Sequence, residues 1–227
     1  PHPPHYLRFV PPRILPLFPL PLVLFPGATM ALHIFEPRYR KLLSDCRASE
    51  TGFGIVCLPE GMSEPEIPAG WVGCEARIDE AITLEDGRSN IVVKGGARFA
   101  ITELVQSQKP YRVAKVTGYD DAGAIDESAA ELAAELRESF ARVAQAARTL
   151  ADDRAPMPEL PTDPALVAFV IASMIDLDLQ ARQELLMERS AMQRLRTVQR
   201  LLSLALEPIE ERAAVHEKAK SNGKGVH

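Results

Sequence analysis

The chain has 227 residues, 46% hydrophobic and 25% charged, a balance that fits a folded globular protein and excludes a disordered one. Twenty-six basic against thirty-one acidic residues leave a formal charge of −5, which argues against a dedicated nucleic-acid or anionic-membrane binder. Charge and proline are uneven: residues 1–120 hold thirteen basic and thirteen acidic side chains, and ten of the 19 prolines fall within residues 1–37, so the two halves read as different architectures.

The first twelve residues form a proline-rich tail. Pro1-His2-Pro3-Pro4-His5 has no basic stretch leading into an unbroken apolar run, and prolines 16, 19 and 21 interrupt residues 14–25, so no secretory leader is read. Ile14-Leu15-Pro16-Leu17-Phe18-Pro19-Leu20 reads as a strand whose prolines sit where the ladder is unpaired, at an edge or barrel rim. Leu22-Val23-Leu24-Phe25 runs into the turn dipeptide Pro26-Gly27, and residues 30–35 follow as another strand. Glu36-Pro37 starts a helix of about three turns to Ala48, with proline at its first position. From Gly73 the alternation puts Cys74, Ala76, Ile78, Ile82 and Leu84 on one face of a half-buried strand. Asp86-Gly87 is a hairpin turn. The return strand carries Ile91, Val93, Ala97, Phe99 and Ile101 inward, with Gly95-Gly96 as a bulge or bend, and residues 111–119 supply one more strand.

The second half is helical. Ser128-Ala129-Ala130-Glu131 fits a capping box ahead of the stripe Leu132, Leu136, Phe140, Val143, Ala147 and Leu150. Asp163-Pro164 opens an all-apolar helix to Ile175, and Asp178 caps a short helix through Leu186. Ser190 begins a long helix with Met192, Leu195, Val198, Leu202, Leu206 and Ile209 on one face, which Pro208 should kink or interrupt. Residues 211–227 read as a flexible polar tail. The apolar run at residues 164–175 is shorter than the roughly 20 residues a membrane span needs, so no membrane role is expected.

Catalytic constellations are not evident. There is no GxxxxGK[ST] loop, GxSxG elbow or HExxH pair, and the one Gly-Lys dipeptide, Gly223-Lys224, is near the end. Cys46, Cys57 and Cys74, at spacings of 11 and 17, match neither a disulfide framework nor a zinc site and read as buried, reduced thiols of a cytoplasmic protein. His33 reads as a single core or surface histidine. Asp152, Asp153, Asp176 and Asp178 read as caps and solvated charges, and Arg196 and Arg200 with Glu188 and Glu207 as a solvated stripe.

Together, Leu15-Pro16-Leu17-Phe18-Pro19-Leu20, Val23-Leu24-Phe25-Pro26-Gly27 and Leu32-His33-Ile34-Phe35-Glu36-Pro37-Arg38-Tyr39 resemble the opening of the N-terminal, substrate-binding domain of ATP-dependent Lon proteases, above all the stand-alone bacterial form. Gly73-Cys74-Glu75-Ala76-Arg77-Ile78 and Gly96-Ala97-Arg98-Phe99 support the likeness, which covers about residues 13–206. The resemblance implies an α+β fold: a PUA-like twisted antiparallel β-barrel at residues 13–121 with one short helix, then an α-helical bundle at residues 122–210. It implies a protein-binding role without catalysis or cofactors, since the ATPase and peptidase domains of the full-length proteases have no counterpart within these residues. Expected partners are unfolded or tagged polypeptides and a Lon-type protease in trans, with a weak homodimer and no nucleic acid. The alternatives are an RNA-binding PUA-like module and a small hydrolase, which would need His33 beside a carboxylate and a nucleophile.

Candidate contact residues are Phe18, Leu20 and Phe25 as an exposed apolar patch, and Phe35, Glu36, Arg38, Tyr39 and Arg40 at the strand-to-helix corner that matches the family's substrate segment. The competing roles are structural: Glu36 caps, Arg38 pairs with an acid and Tyr39 packs. An edge strand beside the proline-rich start would take an extended peptide through main-chain hydrogen bonds.

Overall fold

The computed structural model describes residues 12–223; the rest of the expected proline-rich tail and residues 224–227 lie outside them. Six strands, β1 (Arg13–Leu20), β2 (Thr29–Ile34), β3 (Phe53–Cys57), β4 (Val72–Thr83), β5 (Ser89–Val105) and β6 (Val113–Gly118), form one sheet in the order β2-β5-β4-β3-β1-β6. A further pairing of β5 with β6 closes five of them into a barrel. The five-residue β3 is buried at every position, so no alternation announced it. Leu15, Leu17, Val56, Phe99, Ile101 and Val116 pack together as core.

The 17-residue β5 serves two partners on one side. Residues 89–94 pair with β2, and residues 99–105 pair with β6. The change falls at Gly95-Gly96, where β5 spends one more residue than β4 between the pairs Cys74–Arg98 and Ala76–Gly95. The expected bulge is therefore there, and it leaves Ala97, read as inward, exposed. Gly95 has no room for a side chain, because a β-carbon would collide with the Phe25 carbonyl.

β1 is not an edge. Residues 13–16 pair with β6, and residues 17–20 pair in parallel with β3. The prolines fit by parity. The Leu17 N–H donates to Arg112 O at 2.8 Å on the β6 side, and Leu20 O accepts from Leu58 N at 2.8 Å on the β3 side. Main-chain groups alternate sides along a strand, so Pro16 faces the β3 side one residue before that ladder begins. Pro19 faces the β6 side after that ladder has ended. Each missing N–H falls in a gap.

The alternation along β4 survives only to Ile78. Between the pairs Ile78–Val93 and Glu80–Val92 the strand spends an extra residue, Asp79, which turns everything beyond it over. Ile82, expected in the core, therefore lies opposite Asn90 and is 63% exposed.

Helix α1 (Pro37–Ala48) starts at the expected Glu36-Pro37 and buries Tyr39, Leu42, Leu43 and Cys46. Helix α4 (Leu179–Met187), capped by Asp178 as expected, belongs with the barrel rather than with the other helices. Buried Arg98 donates to Leu186 O at 2.7 Å and Glu188 O at 2.8 Å, and Gln183 Nε2 donates to Val72 O at 3.0 Å. The first unit thus runs to Asp120 and takes back Leu177–Arg189; the second holds Asp121–Asp176 and continues from Ser190. The helical half read from sequence is not one block.

The second unit contains α2 (Glu127–Ala151), α3 (Pro164–Met174) and α5 (Ala191–Gly223). α2 is capped two residues ahead of the predicted capping box, by Asp126, which accepts from Ala129 N at 2.8 Å. Helix α3 is buried at Val167–Ala172. Arg194, 1% exposed, donates through both terminal nitrogens to the Asp121 carboxylate at 2.6 Å and lies 4.2 Å from the Phe169 ring centre. Pro208 does not end α5, and residues 211–223, expected as a flexible tail, are helical. Ala213 is buried there, Arg142 grips Glu210 with two hydrogen bonds, and His216 and Lys220 reach Asp152.

Candidate functional site

The corner between β2 and α1 organises two surfaces of the barrel unit. The first is a polar cleft of about 630 Å3 lined by Arg38, Glu64, Lys109, Tyr111 and Arg112 among others. Glu64 is its hub, accepting from Arg38 Nη1 at 2.5 Å, Tyr39 Oη at 3.1 Å and Arg112 Nε at 3.2 Å. Beside it, Asp45 accepts from Lys41 at 2.6 Å, Tyr111 Oη at 2.7 Å and Lys109 at 2.8 Å, and these donors, Lys109 foremost, hold its carboxyl well below the usual range. Burial first, and then Glu64, pushes the Tyr39 hydroxyl up. Every cation of this cleft already has an acid.

The second surface is the outer face of the ribbon β2-β5-β4. Directly opposite residues share a face, so Ala31, Val92 and Glu80 form one row and His33, Asn90 and Ile82 the next. A shallow, mostly apolar groove of about 300 Å3 runs across these rows. His33 Nδ1 is 2.7 Å from Asn90 Oδ1, and its ring stacks on Phe35, centroids 6.0 Å apart. Phe35 is 59% exposed. Ile82, in the same row as His33, is 63% exposed.

Among the described residues nothing pairs with the far side of β2, so that ribbon ends in an open edge. Gly95 N donates to Ala28 O at 2.8 Å, which fixes the parity of β2: Ala28, Met30, Leu32 and Ile34 face β5. Thr29, Ala31 and His33 therefore turn their N–H and C=O groups away from the sheet. Natural edge strands are usually protected by lysine, proline, bulges or a covering element. Thr-Met-Ala-Leu-His-Ile contains no acid, lysine, arginine, proline or glycine.

The eight expected contact residues divide accordingly. Phe18 and Phe25, expected on an exposed patch, are 5% and 0% exposed and belong to the core; Leu20 is half-buried. The Phe18 ring packs on Tyr39, centroids 4.1 Å apart, because both lie between β1 and α1. Glu36 occupies the cap position but makes no side-chain cap bond, binding Arg38 at 2.8 Å instead. Arg38 and buried Tyr39 serve the Glu64 hub. Phe35 and Arg40 remain exposed. Sequence reasoning missed Ala31, Val92 and Ile82 as neighbours on one face, because the pairing of β2 with β5 is long-range and the face of Ile82 depends on the Asp79 bulge.

The barrel and its appended helices define an α+β domain of mixed sheet and five α-helices. Residues 14–203 match the model of the ATP-dependent protease La (LON) substrate-binding domain, and the chain belongs to that family. The Lon protease of Anaeromyxobacter dehalogenans is 28% identical over 198 residues, 85% of this chain and 23% of the relative. Lon protease 2 of Myxococcus xanthus is 27% identical over 198 residues, covering 85% and 24%. The chain thus spans about a quarter of the length of these curated relatives. A crystal structure of a Lon N-terminal domain protein from Xanthomonas campestris superposes with a TM-score of 0.59 at 29% identity, over 82% of this chain and 96% of that one. The N-terminal domain of a Mycobacterium avium complex Lon protease shares the fold at a TM-score of 0.64 and 18% identity, over 84% and 98%. Among the described residues no helix is long and apolar enough to cross a membrane, and Cys46, Cys57 and Cys74 are free and buried.

Proposed function

We propose that this chain is a non-catalytic polypeptide-binding module that holds unfolded or tagged protein segments by adding them as a strand along β2. The observation that carries the reading is the unprotected open edge of Thr29–Ile34 next to exposed Phe35 and Ile82. Main-chain hydrogen bonds to Thr29, Ala31 and His33 are blind to sequence, and the apolar groove favours hydrophobic side chains, which is what a binder of unrelated unfolded clients needs. The substrate-binding name of the family supports the same role, and delivery of the held segment to a Lon-type protease in trans is the natural use of such a grip. ATP hydrolysis and peptide cleavage are not assigned to these residues. Three thiols kept reduced by burial suit the cytoplasm.

Hydrogen exchange with an added permanently unfolded polypeptide tests the reading. Amides 29, 31 and 33 gain protection if a strand is added there. Protection that is unchanged throughout residues 29–35 rejects the mode of binding.

A further inference from the structure

The open edge of β2 matches itself. Its outward residues, Thr29, Ala31 and His33, are evenly spaced about Ala31, and among the described residues none of them has a strand partner on that side. A half-rotation about an axis through Ala31 lays a second copy antiparallel to the first, with Ala31 opposite Ala31 and each Thr29 opposite His33 of the other copy. Outward main-chain groups then meet outward ones at every step, and each such pair exchanges two hydrogen bonds, about six in all. Moving the axis to Met30 or to Leu32 carries one of the outward residues past the end of the strand. The Ala31 register is therefore the one that uses the whole edge.

The side chains suit the same register. Thr29, Ala31 and His33 are exposed, Met30 and Leu32 are half-buried, and Ile34 is buried. On the inner face each Met30 comes opposite Leu32 of the other copy, at the closer spacing of a pair that is not hydrogen-bonded. On the outer face Ala31 meets only itself across the axis, and it is small enough to do so. The strand has no acid, lysine or arginine, so two copies of a chain with a formal charge of −5 meet without like charges opposite each other. Exposed Phe35, one residue past Ile34, comes beside the Pro26-Gly27 turn of the other copy, where glycine leaves the ring room.

We infer that two copies of this chain pair β2 to β2 about Ala31 and so close the edge when no client lies along it. The inference rests on the same open edge as the strand-addition reading and adds its regulation, because a second copy and a client compete for the amides of Thr29, Ala31 and His33. The contact is small. Six residues a side fall far short of the roughly 20–30 residues a side of a standard interface, so the dimer forms at high concentration and gives way to a client. A two-fold contact also closes on itself, which stops at two copies the growth that an unguarded edge would otherwise seed.

Sedimentation velocity and hydrogen exchange on the full chain, from roughly 10 μM to 1 mM, test this. The average mass should rise toward that of a dimer. Amides 29, 31 and 33 should gain protection with concentration, while amides 30 and 32, which face β5, should not change. Ala31→Lys and Ala31→Glu each set like charges on the axis, and each variant should stay monomeric with a Tm close to that of the unaltered chain. Mixing the two in equal amounts should restore the dimer, since the axis then holds a Lys–Glu pair. An excess of a permanently unfolded polypeptide should return the unaltered chain to monomer. A monomer at every concentration overturns the inference; client protection of amides 29, 31 and 33 in that case leaves strand addition standing, and its absence rejects both. A dimer that A31K and A31E form as readily as the unaltered chain, or a mixture of the two that stays monomeric, also overturns it. Protection that rises with concentration and that no client replaces upholds self-pairing and rejects strand addition.

Discussion

β1 and β2 are apolar strands separated by residues 21–28, and each meets the sheet in the way its composition argues against. β1 carries Pro16 and Pro19 and is enclosed in the barrel by β3 and β6. β2 carries no proline and, among the described residues, is paired on one side only. Proline reports which main-chain N–H groups go unused, residue by residue, and says little about where a strand sits. In β1 the two unused positions fall where one ladder stops or the other has yet to begin. In β2 the three outward N–H groups have no strand partner among the described residues, and the proposed strand addition depends on that contrast.

The sharpest way to break the contrast compares two phenylalanines flanking β2. Phe25→Ala should cost about 3–5 kcal/mol of stability, since the ring is fully enclosed and its removal leaves a cavity, whereas Phe35→Ala should leave the denaturation midpoint almost unmoved and weaken polypeptide binding. Urea titrations of the two variants decide it. Similar losses in both would mean that Phe35 belongs to the core.

Parity within β2 can be probed next. Leu32→Pro removes a donor that faces β5 and should cost about 3 kcal/mol, while Ala31→Pro removes one that faces away and should cost about 1 kcal/mol or less of backbone strain. Only the second variant should fold normally yet fail to gain exchange protection with an unfolded client. Equal destabilisation would show that the assigned register of outward groups is wrong.

A smaller effect comes from the thiols of the barrel ladder. Burial pushes Cys57 up to about 11 and Cys74 up to about 12. Both folded values are raised above the ordinary thiol value of about 8.5, so the stabilising contribution is complete below that pH and is lost as pH rises toward the folded values. Tm should fall above about pH 9. A disulfide reagent at pH 8 should label none of the three thiols in the folded protein and all three in denaturant.

The smallest expected change concerns Asp45, whose carboxyl is lowered by Lys109, Lys41 and Tyr111. A depressed folded value means that its contribution is present above the ordinary carboxyl range of about pH 4 and fades as pH falls below it. Asp45→Asn should lower Tm slightly at pH 7, with the gap to the unaltered chain closing toward pH 3. A gap independent of pH would point to lost packing rather than lost charge.

Much of this protein was decided locally. The Asp86-Gly87 turn, the helix opening at Glu36-Pro37 and the caps Asp163, Asp178 and Ser190 lie where their residue types require, because each depends on a backbone angle or a hydrogen bond within a few residues. The apolar motifs of residues 15–39 likewise sufficed to identify the family. Tertiary structure alone decided which apolar residues face outward. Phe25 and Phe35 are equally hydrophobic, but the first lies where the chain passes Gly95 and the second lies past the end of the edge strand. Ile82 shares the period of Cys74 and Ala76, yet one extra residue at Asp79 reverses its face, and no local signal forecasts a bulge between strands whose pairing is not yet known. The candidate site is legible only after folding for the same reason: an open edge is a property of what fails to pair with a strand, and long-range pairing is not written in the strand's own six residues.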